Sequence, residues 1–236
     1  MTKAPRAGKV KTRLSPPFTA GEAAALNICF LRDTTKAISL VKDRTVQGVA
    51  VYTPVDAKAD YDGLLPADFT LIPQRGEILS ERVIFAIEDL FGQGFASVCL
   101  INSDSPTLPK EILAEAAAIL EKPGDPVVLG PSCDGGYYLV GLKNPHPELF
   151  EDISWSTDRV LSQTIEHARQ LNLPVHLLPS WYDVDDRKSL RRLCEELFAP
   201  REAAAAGYLA PATRKFLEDL MEREGRERLW PTEASQ

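Results

Sequence analysis

The chain has 236 residues, of which 44% are hydrophobic and 26% charged, and its formal net charge is -7 at pH 7. This composition is ordinary for a folded domain, and the acidic balance argues against general affinity for nucleic acid, which needs a basic face. No apolar run approaches the roughly 20 residues of a membrane-spanning helix. Four scattered cysteines without a C-x-x-C pair indicate reduced core residues. We therefore expect a cytoplasmic protein with no membrane span and no nucleic-acid partner.

Helices and strands are predicted to alternate along most of the chain. In chain order the pattern predicts a helix at 21–43, strands at 46–54 and 68–73, a helix at 77–94, a strand within 97–106, a helix at 109–124, strands at 126–132 and 136–142, a helix at 157–173, a strand at 174–184 and a helix at 186–198. This alternation predicts a single α/β domain over residues 1–198, with a mostly parallel sheet and helices on both faces. Residues 199–236 are alanine-rich and then charged, which predicts a C-terminal helix and a polar tail.

The start of the chain conflicts with this pattern. A doubly wound domain of this type normally places a strand before its first loop, but only Met1 and Thr2 precede the cation Lys3. We therefore expect the first strand to be missing or truncated. An apolar stretch encoded in frame upstream of Met1 would indicate a start assigned too late.

Carboxylates follow two of the predicted strands. Asp104 lies in the polar turn "NSDSPTLP", and Asp183 and Asp185 are two residues apart in "DVDD", so that on an extended chain they point to the same face. Carboxylate oxygens are ligands that Mg²⁺ prefers, and like charges on one face repel unless a cation or water separates them. The alternatives are a turn aspartate at 104 and a solvated loop whose last acid, Asp186, caps the following helix. With acids at both strand ends, we favour a Mg²⁺ site.

The N-terminal stretch "PRAGKVKTRL" gathers cations around small residues. Gly8 lets the backbone bend round a ligand, and Lys11 and Arg13 suit phosphate oxygens. A solvated basic tail is the alternative, because runs of charge usually face water. The apolar residues Val10 and Leu14 argue against a tail, so we favour a phosphate-binding loop.

The stretch "GPSCDGGYYLVGL" combines an acid with two glycines between predicted strands. Gly135 and Gly136 permit close approach of the backbone to a ligand, and Asp134 stands beside them. Tyr137 and Tyr138 can stack on a ring or simply pack. The alternative is an ordinary hairpin turn.

Five stretches in this order resemble one known family: "KAPRAGKVKTRL", "SDSPTLP", "GPSCDGGYYLVGL", "WST" and "WYDVDD". They are similar to the glycosyltransferase-like proteins that accompany arsenosugar-biosynthesis and radical-SAM genes, in the nucleotide-diphospho-sugar transferase superfamily with the GT-A fold. Molybdenum-cofactor guanylyltransferases and the guanylyltransferase of deazaflavin cofactor synthesis are more distant relatives. The resemblance extends from Lys3 to about Phe198. It departs from the family at the first strand and at Ser80, where a glycine is usual.

The resemblance implies a role for each matching residue. The residues implied to contact nucleotide or phosphate are Gly8, Lys11, Arg13 and Arg82. The residues implied to hold Mg²⁺ or Mn²⁺ are Asp104, Asp183 and Asp185. The loop implied to cradle the sugar or acceptor consists of Asp134, Gly135 and Gly136. The residues expected to act in catalysis are Lys11, Arg13 and Asp104.

Three functions follow from these residues. We favour a metal-dependent glycosyltransferase that uses a nucleotide sugar and a small-molecule acceptor. Nucleotidyl transfer from a nucleoside triphosphate to a phosphorylated acceptor stays open, because clustered Lys and Arg suit a departing pyrophosphate. A non-catalytic nucleotide-binding protein is the third possibility, suggested by the absent first strand and by the serine at position 80, since a fold does not dictate a function. A homodimer is left open.

Overall fold

The computed structural model describes residues 1–41, 46–198 and 207–229. The strands are β1 Thr2–Lys3, β2 Val49–Thr53, β3 Thr70–Pro73, β4 Val98–Ile101, β5 Val127–Pro131, β6 Tyr137–Leu142 and β7 Val175–Leu177. The helices are α1 Ala20–Ser39, α2 Leu79–Gly92, α3 Lys110–Glu121, α4 Val160–Gln170, α5 Arg187–Phe198, α6 Pro211–Glu224 and α7 Arg226–Leu229. The predicted elements occur in the predicted order, and the end of the first predicted helix and the polar tail at 230–236 lie outside the described residues.

The strands form two hydrogen-bonded groups. Strands β1, β2 and β3 are parallel neighbours in that order, and β4, β6, β5 and β7 form the second group. Strand β6 runs antiparallel to β4 and β5, whereas β5 and β7 are parallel. The predicted α/β fold with a mostly parallel sheet is thus confirmed, with β6 as the antiparallel strand within the described residues.

Helices cover both faces of the second group because its strands are apolar on both faces. In β5, Val127 and Leu129 belong to a core cluster with the side chains of α2 and α4. Val128 between them points to the other face, as alternation along a strand requires, and packs in a cluster with α3. Sheet strands buried on both faces read as continuous apolar runs, and all five residues of β5 are buried.

The first strand is present but consists of two residues. Thr2 pairs with Tyr52 of β2 and Lys3 pairs with Thr53. The backbone N–H of Ala4 donates to Thr53 O at 2.8 Å and extends this pairing by one bond. The expectation of a missing strand is therefore wrong, and the expectation of a short one agrees with the structure.

The C-terminal helix predicted after residue 198 corresponds to α6. It packs against α1 in a cluster that contains Leu26, Phe30, Leu217 and Leu220. Asp33 of α1 accepts hydrogen bonds from two backbone N–H groups in the first turn of α6. The division of the chain at residue 198 stays a prediction. Within the described residues, no helix combines the length and apolar character needed to cross a bilayer.

Candidate functional site

Two loops that follow β4 and β7 are tied together at the carboxyl edge of the strands. Asn102 Nδ2 donates to Asp183 Oδ1 at 2.9 Å, and Ser105 Oγ donates to the same oxygen at 2.6 Å. The backbone N–H of Val184 donates to Asp104 O at 2.8 Å. The two acidic stretches predicted to meet at neighbouring strand ends therefore lie side by side.

Lys11 lies between two of the predicted carboxylates. Its Nζ atom is 2.5 Å from Asp104 Oδ1 and 3.1 Å from Asp185 Oδ1, and it donates to Val184 O at 2.9 Å. The Lys11 side chain is only 3% exposed, and its Nζ lies 5.1 Å from the centre of the Phe30 ring. Burial opposes the charge of Lys11, but Asp104 and Asp185 outweigh this effect and raise its pKa. Lys11 is thus a buried cation and not part of a solvated tail.

The rest of the basic loop is more open. The Arg13 guanidinium lies 3.1 Å from Asp185 Oδ2, but its side chain is 70% exposed. Gly8 adopts a φ of 72°, in the left-handed region that glycine adopts readily, at the bend of the loop. Lys11 itself has a φ of 48° and stands just before a single 3₁₀ turn at Thr12–Leu14. The bend and the turn together aim Lys11 inward and Arg13 outward.

Asp183 and Asp186 have different environments from Asp104 and Asp185. Burial raises the pKa of Asp183, and its negative neighbours Asp104 and Asp185 add to the rise, whereas hydrogen bonds from Ser105 and Asn102 oppose it. Asp186 Oδ1 accepts the backbone N–H of Ser189 at 2.8 Å at the start of α5. This bond lowers the pKa of Asp186, and it confirms the interpretation of Asp186 as a helix cap.

The carboxylates supply oxygen ligands of the type that Mg²⁺ prefers. Asp104 and Asp185 flank the Lys11 ammonium, while Asp183 is held by Asn102 and Ser105. Within residues 1–41, 46–198 and 207–229, no group of three or more His, Cys, Asp or Glu side chains is arranged as a ready metal site. The assignment of Mg²⁺ or Mn²⁺ to Asp104, Asp183 and Asp185 therefore stays a prediction.

A cavity of about 460 Å³ opens beside these side chains. Its wall includes Lys11, Asp104, Asp185, Arg82, Tyr137 and Trp155. Arg82 Nε donates to Gly76 O at 3.2 Å, and no described carboxylate lies within ion-pair distance of its guanidinium. The lining of the cavity thus combines charged side chains with aromatic ones.

The aromatic lining residues Trp155 and Tyr137 make contacts that the sequence did not reveal. The rings of Trp155 and Tyr137 meet edge to face with centroids 6.3 Å apart. Trp155 Nε1 donates to Ser80 Oγ at 2.6 Å, so the serine that departs from the family pattern fixes the indole. Polar residues at the end of β4, in "NSDS", were the available signal for Asn102 and Ser105. Ser80 and Trp155 are 75 residues apart, and no spacing rule joins them.

The glycine loop forms a tight turn outside the lining of this cavity. Asp134 Oδ1 accepts the backbone N–H of Gly136 at 3.0 Å. Gly135 has a φ of 90°, and a Cβ atom placed on it would lie 2.4 Å from the backbone of Asp158. The turn therefore needs glycine at 135 for its own conformation and for close packing. The predicted contact of this loop with a sugar or acceptor stays a prediction.

A model of the family described as "Uncharacterized protein conserved in bacteria (DUF2064)" matches residues 36–157. The chain belongs to the DUF2064 family. No curated protein sequence matches this DUF2064 protein.

Solved structures resemble the DUF2064 protein to different degrees. A protein of Desulfovibrio desulfuricans G20, provisionally assigned as a nucleotide-diphospho-sugar transferase, is 29% identical in sequence and superposes with a TM-score of 0.79 over 95% of each chain. A CMP:2-keto-3-deoxy-manno-octonic acid synthetase complexed with CTP is 8% identical, with a TM-score of 0.48 over 70% of this chain and 85% of that one. The second similarity is too low to carry an argument.

Proposed function

We propose that this DUF2064 protein is a divalent-metal-dependent transferase that acts on a nucleotide-activated substrate, with glycosyl transfer from a nucleoside diphosphate sugar preferred. The observation that carries the proposal is Lys11, a buried cation held between Asp104 and Asp185 at the edge of a cavity. A buried cation beside carboxylates suits a diphosphate that is bound through both a lysine and a metal ion. The 29% identity with the Desulfovibrio protein over nearly the whole chain supports this class.

The charged side chains have separate tasks in this proposal. Lys11 and Arg13 bind phosphate oxygens, and the buried position of Lys11 strengthens its pull because little water screens it. Asp104 and Asp185 hold Mg²⁺ or Mn²⁺, with Asp183 beside them as the third carboxylate. The metal ion, when bound, neutralises charge that develops on the leaving diphosphate. Arg82, which has no described acidic partner, binds an anionic group of the nucleotide.

The resemblance of the five motifs favours sugar transfer of the arsenosugar-associated type. Nucleotidyl transfer, as in molybdenum-cofactor guanylyltransferases, uses the same charged groups and differs in its products. Glycosyl transfer releases a nucleoside diphosphate, whereas nucleotidyl transfer releases pyrophosphate.

The structure gives less support to a non-catalytic nucleotide-binding role than the sequence does. Its two motives were the first strand and the serine at position 80. Strand β1 is formed, and Ser80 accepts a hydrogen bond from Trp155. The hydrogen bond to Trp155 gives Ser80 a structural role, and the two residues of β1 pair with β2, so both motives are weaker than in the sequence.

A thermal-unfolding screen tests the proposal. Nucleoside triphosphates and nucleoside diphosphate sugars are compared at fixed Mg²⁺ or Mn²⁺, and each stabilising ligand is measured again with EDTA. A ligand that binds only the native state raises the midpoint by mass action. Stabilisation by a nucleotide sugar, abolished by EDTA, with nucleoside diphosphate released on addition of acceptors, is the expected result. Release of pyrophosphate would replace glycosyl with nucleotidyl transfer, and binding without turnover under any metal would leave the non-catalytic role.

Asp104→Asn tests the metal assignment within the same screen. The variant keeps the shape of the side chain but removes a charge, so we expect it to fold and to lose the metal-dependent part of the midpoint shift. Asp219→Asn, on the exposed face of α6, is the matched control and keeps the full shift. A full metal-dependent shift in the Asp104→Asn protein would remove this carboxylate from the site.

A further inference from the structure

Asn27 is a buried polar side chain without a partner. It belongs to α1 and is only 5% exposed. Within the described residues its carboxamide makes no hydrogen bond to a side chain or to the backbone. Buried side-chain polar atoms nearly always have a hydrogen-bond partner, so an exception calls for an explanation such as strain, catalysis or a bound molecule.

The unpartnered carboxamide lies at the candidate site. Asn27 lines the cavity of about 460 Å³ together with Lys11 and Asp104. Asn27 and Phe30 are three residues apart on α1, so they share one face of the helix. The Nζ atom of Lys11 lies 5.1 Å from the centre of the Phe30 ring. Asn27 therefore lies on the side of α1 against which the buried ammonium packs.

The ammonium of Lys11 has all its hydrogens engaged. An ammonium group carries three N–H donors. The Nζ atom lies 2.5 Å from Asp104 Oδ1, 3.1 Å from Asp185 Oδ1 and 2.9 Å from Val184 O. A phosphate group that approaches Lys11 is therefore attracted by its charge but needs further N–H donors for its oxygen atoms.

The carboxamide of Asn27 can supply such donors. Acceptors are already present in the cavity, because Asp104 and Asp185 line it. A carboxamide offers two N–H donors and carries no charge. Burial of a neutral donor costs less than burial of a second cation, and hydrogen bonds to an ionised acceptor are among the stronger ones. A phosphate oxygen is thus the acceptor that suits Asn27.

Ser103 is in the same condition on a different element. It follows β4, is 8% exposed and lines the cavity. Its neighbours Asn102 and Ser105 both donate to Asp183. The Ser103 hydroxyl, in contrast, has no hydrogen-bond partner among the described residues. Two buried polar groups from separate elements therefore line one cavity without partners, which indicates a space that takes a polar molecule.

We infer that Asn27 is a phosphate-binding residue, whose Nδ2 atom donates hydrogen bonds to oxygen atoms of a diphosphate while the Lys11 ammonium supplies the positive charge beside it. The inference rests on the proposed function and adds to its nucleotide site a residue that none of the sequence motifs contains. It gives the diphosphate a neutral donor on α1 in addition to the cations of the N-terminal loop.

Substitutions at two positions of α1 test the inference. Asn27→Leu keeps the branched shape of the side chain and removes its donors. Asn27→Asp keeps the shape more closely, removes the N–H groups and adds a negative charge. Thr34→Val is the matched control, because the Thr34 hydroxyl is also buried on α1 without a partner, yet Thr34 is not among the described residues that line the cavity.

Calorimetry in the presence of Mg²⁺ gives the dissociation constants of two kinds of probe. Inorganic diphosphate carries neither base nor sugar, and UDP, GDP, ADP and CDP add a nucleoside. Asn27→Leu is expected to weaken binding roughly 10- to 100-fold, which is the effect of losing hydrogen bonds to a charged acceptor. Asn27→Asp weakens binding at least as much, and Thr34→Val keeps the wild-type affinity. Without ligand, neither Asn27→Leu nor Thr34→Val lowers the thermal midpoint, because each removes a polar group that burial leaves unpaired.

Wild-type affinity in either Asn27 variant would overturn the inference and leave the proposed function intact. An equal loss of affinity in Thr34→Val would also overturn it, because the loss would then come from a general disturbance of α1. If leucine is too large for the position and Asn27→Leu does not fold, Asn27→Asp decides alone. A wild-type protein that binds none of the probes would refute both the inference and the proposed function. A protein that binds them through Asn27 but transfers nothing would refute only the transferase reaction.

Discussion

Lys11 and Arg13 show how two cations of one short loop acquire different properties. Both contact Asp185, yet Lys11 is 3% exposed and Arg13 is 70% exposed. Coulomb attraction is stronger where little water screens it, so the Lys11 contacts matter more for stability and for ligand binding. The sequence predicted phosphate recognition at both positions and did not distinguish them. The difference comes from Phe30 of α1 and from the 182–185 loop, which enclose Lys11.

Lys11→Met is expected to destabilise the protein by about 1–3 kcal/mol, because it leaves Asp104 and Asp185 without their cation. The lower part of the range applies because both carboxylates are about one-third exposed and can hydrate. Urea unfolding gives the free-energy change. Lys9→Met, in an exposed position of the same loop, is the control and stays within about 0.5 kcal/mol. If removal of the Lys11 charge costs no more than the Lys9 control, the cluster does not contribute to stability.

The buried amino group of Met1 is expected to make the free energy of unfolding depend on pH. Burial lowers its pKa to about 6, although Asp104 acts in the opposite direction. Between pH 8 and pH 6 the unfolded chain thus binds more protons than the native one. The free energy of unfolding therefore falls as the pH is lowered from 8 toward 6, and this loss is absent above pH 8. Urea unfolding of the free and N-acetylated proteins across this window isolates the effect, since acetylation removes the charge. Identical pH profiles for the two forms would contradict the prediction.

At the level of elements, the turn between β5 and β6 requires glycine at position 135 but not at position 136. Gly135→Ala is expected to cost at least about 2 kcal/mol, because alanine resists a φ of 90° and its Cβ would contact Asp158 backbone at 2.4 Å. Gly136→Ala is the matched control: its Cβ would lie 3.2 Å from Asp134 Oδ1, at the end of a movable side chain. We expect less than about 1 kcal/mol there. Equal losses in chemical denaturation would show that the two glycines have equivalent roles.

The attachment of α6 depends on a cap supplied by another helix. Asp33 of α1 accepts the N–H of Ala212 at 3.0 Å and that of Thr213 at 2.7 Å, while burial raises the Asp33 pKa against these bonds. Asp33→Ala leaves both N–H groups unpaired, and we expect a loss of about 2 kcal/mol with faster amide exchange in α6. Asp219→Ala, whose side chain makes an exposed ion pair with Lys215, is the control and costs less than about 1 kcal/mol. Unchanged exchange in α6 after removal of Asp33 would show that apolar packing alone holds the helix.

The helices and strands themselves could be predicted well from local pattern. Periodicity located α1, α2 and α3, because each has one apolar face and a polar remainder. The ends of the strands were predicted less accurately: the predicted strand at 174–184 contains β7 at Val175–Leu177 and only an isolated bridge at Trp181 farther on. Pairing partners, which decide how far a strand extends, are remote in sequence and are not encoded in any single stretch.

For the whole molecule, the direction of each strand and the gap between the two strand groups became visible only in the structure. Strand β6 lies antiparallel between β4 and β5, so β4 and β5 run in the same direction. The carboxyl ends of the parallel strands therefore lie at one edge, where the loops of residues 6–14, 102–105 and 182–185 come together. This arrangement explains how motifs up to 174 residues apart form one site.

By itself the sequence determined the α/β class, the order of the elements, the acids after two strands and the basic loop. Each of these depends on local periodicity, turn chemistry or the residue types at a strand end. Only the tertiary structure decided that Lys11 is buried between Asp104 and Asp185, that Ser80 accepts a hydrogen bond from Trp155, and that a second cavity lies between β2 and β4. These features require residues distant in sequence to pack against each other, and burial, which sets the strength of their charges and hydrogen bonds, is a property of the packed chain.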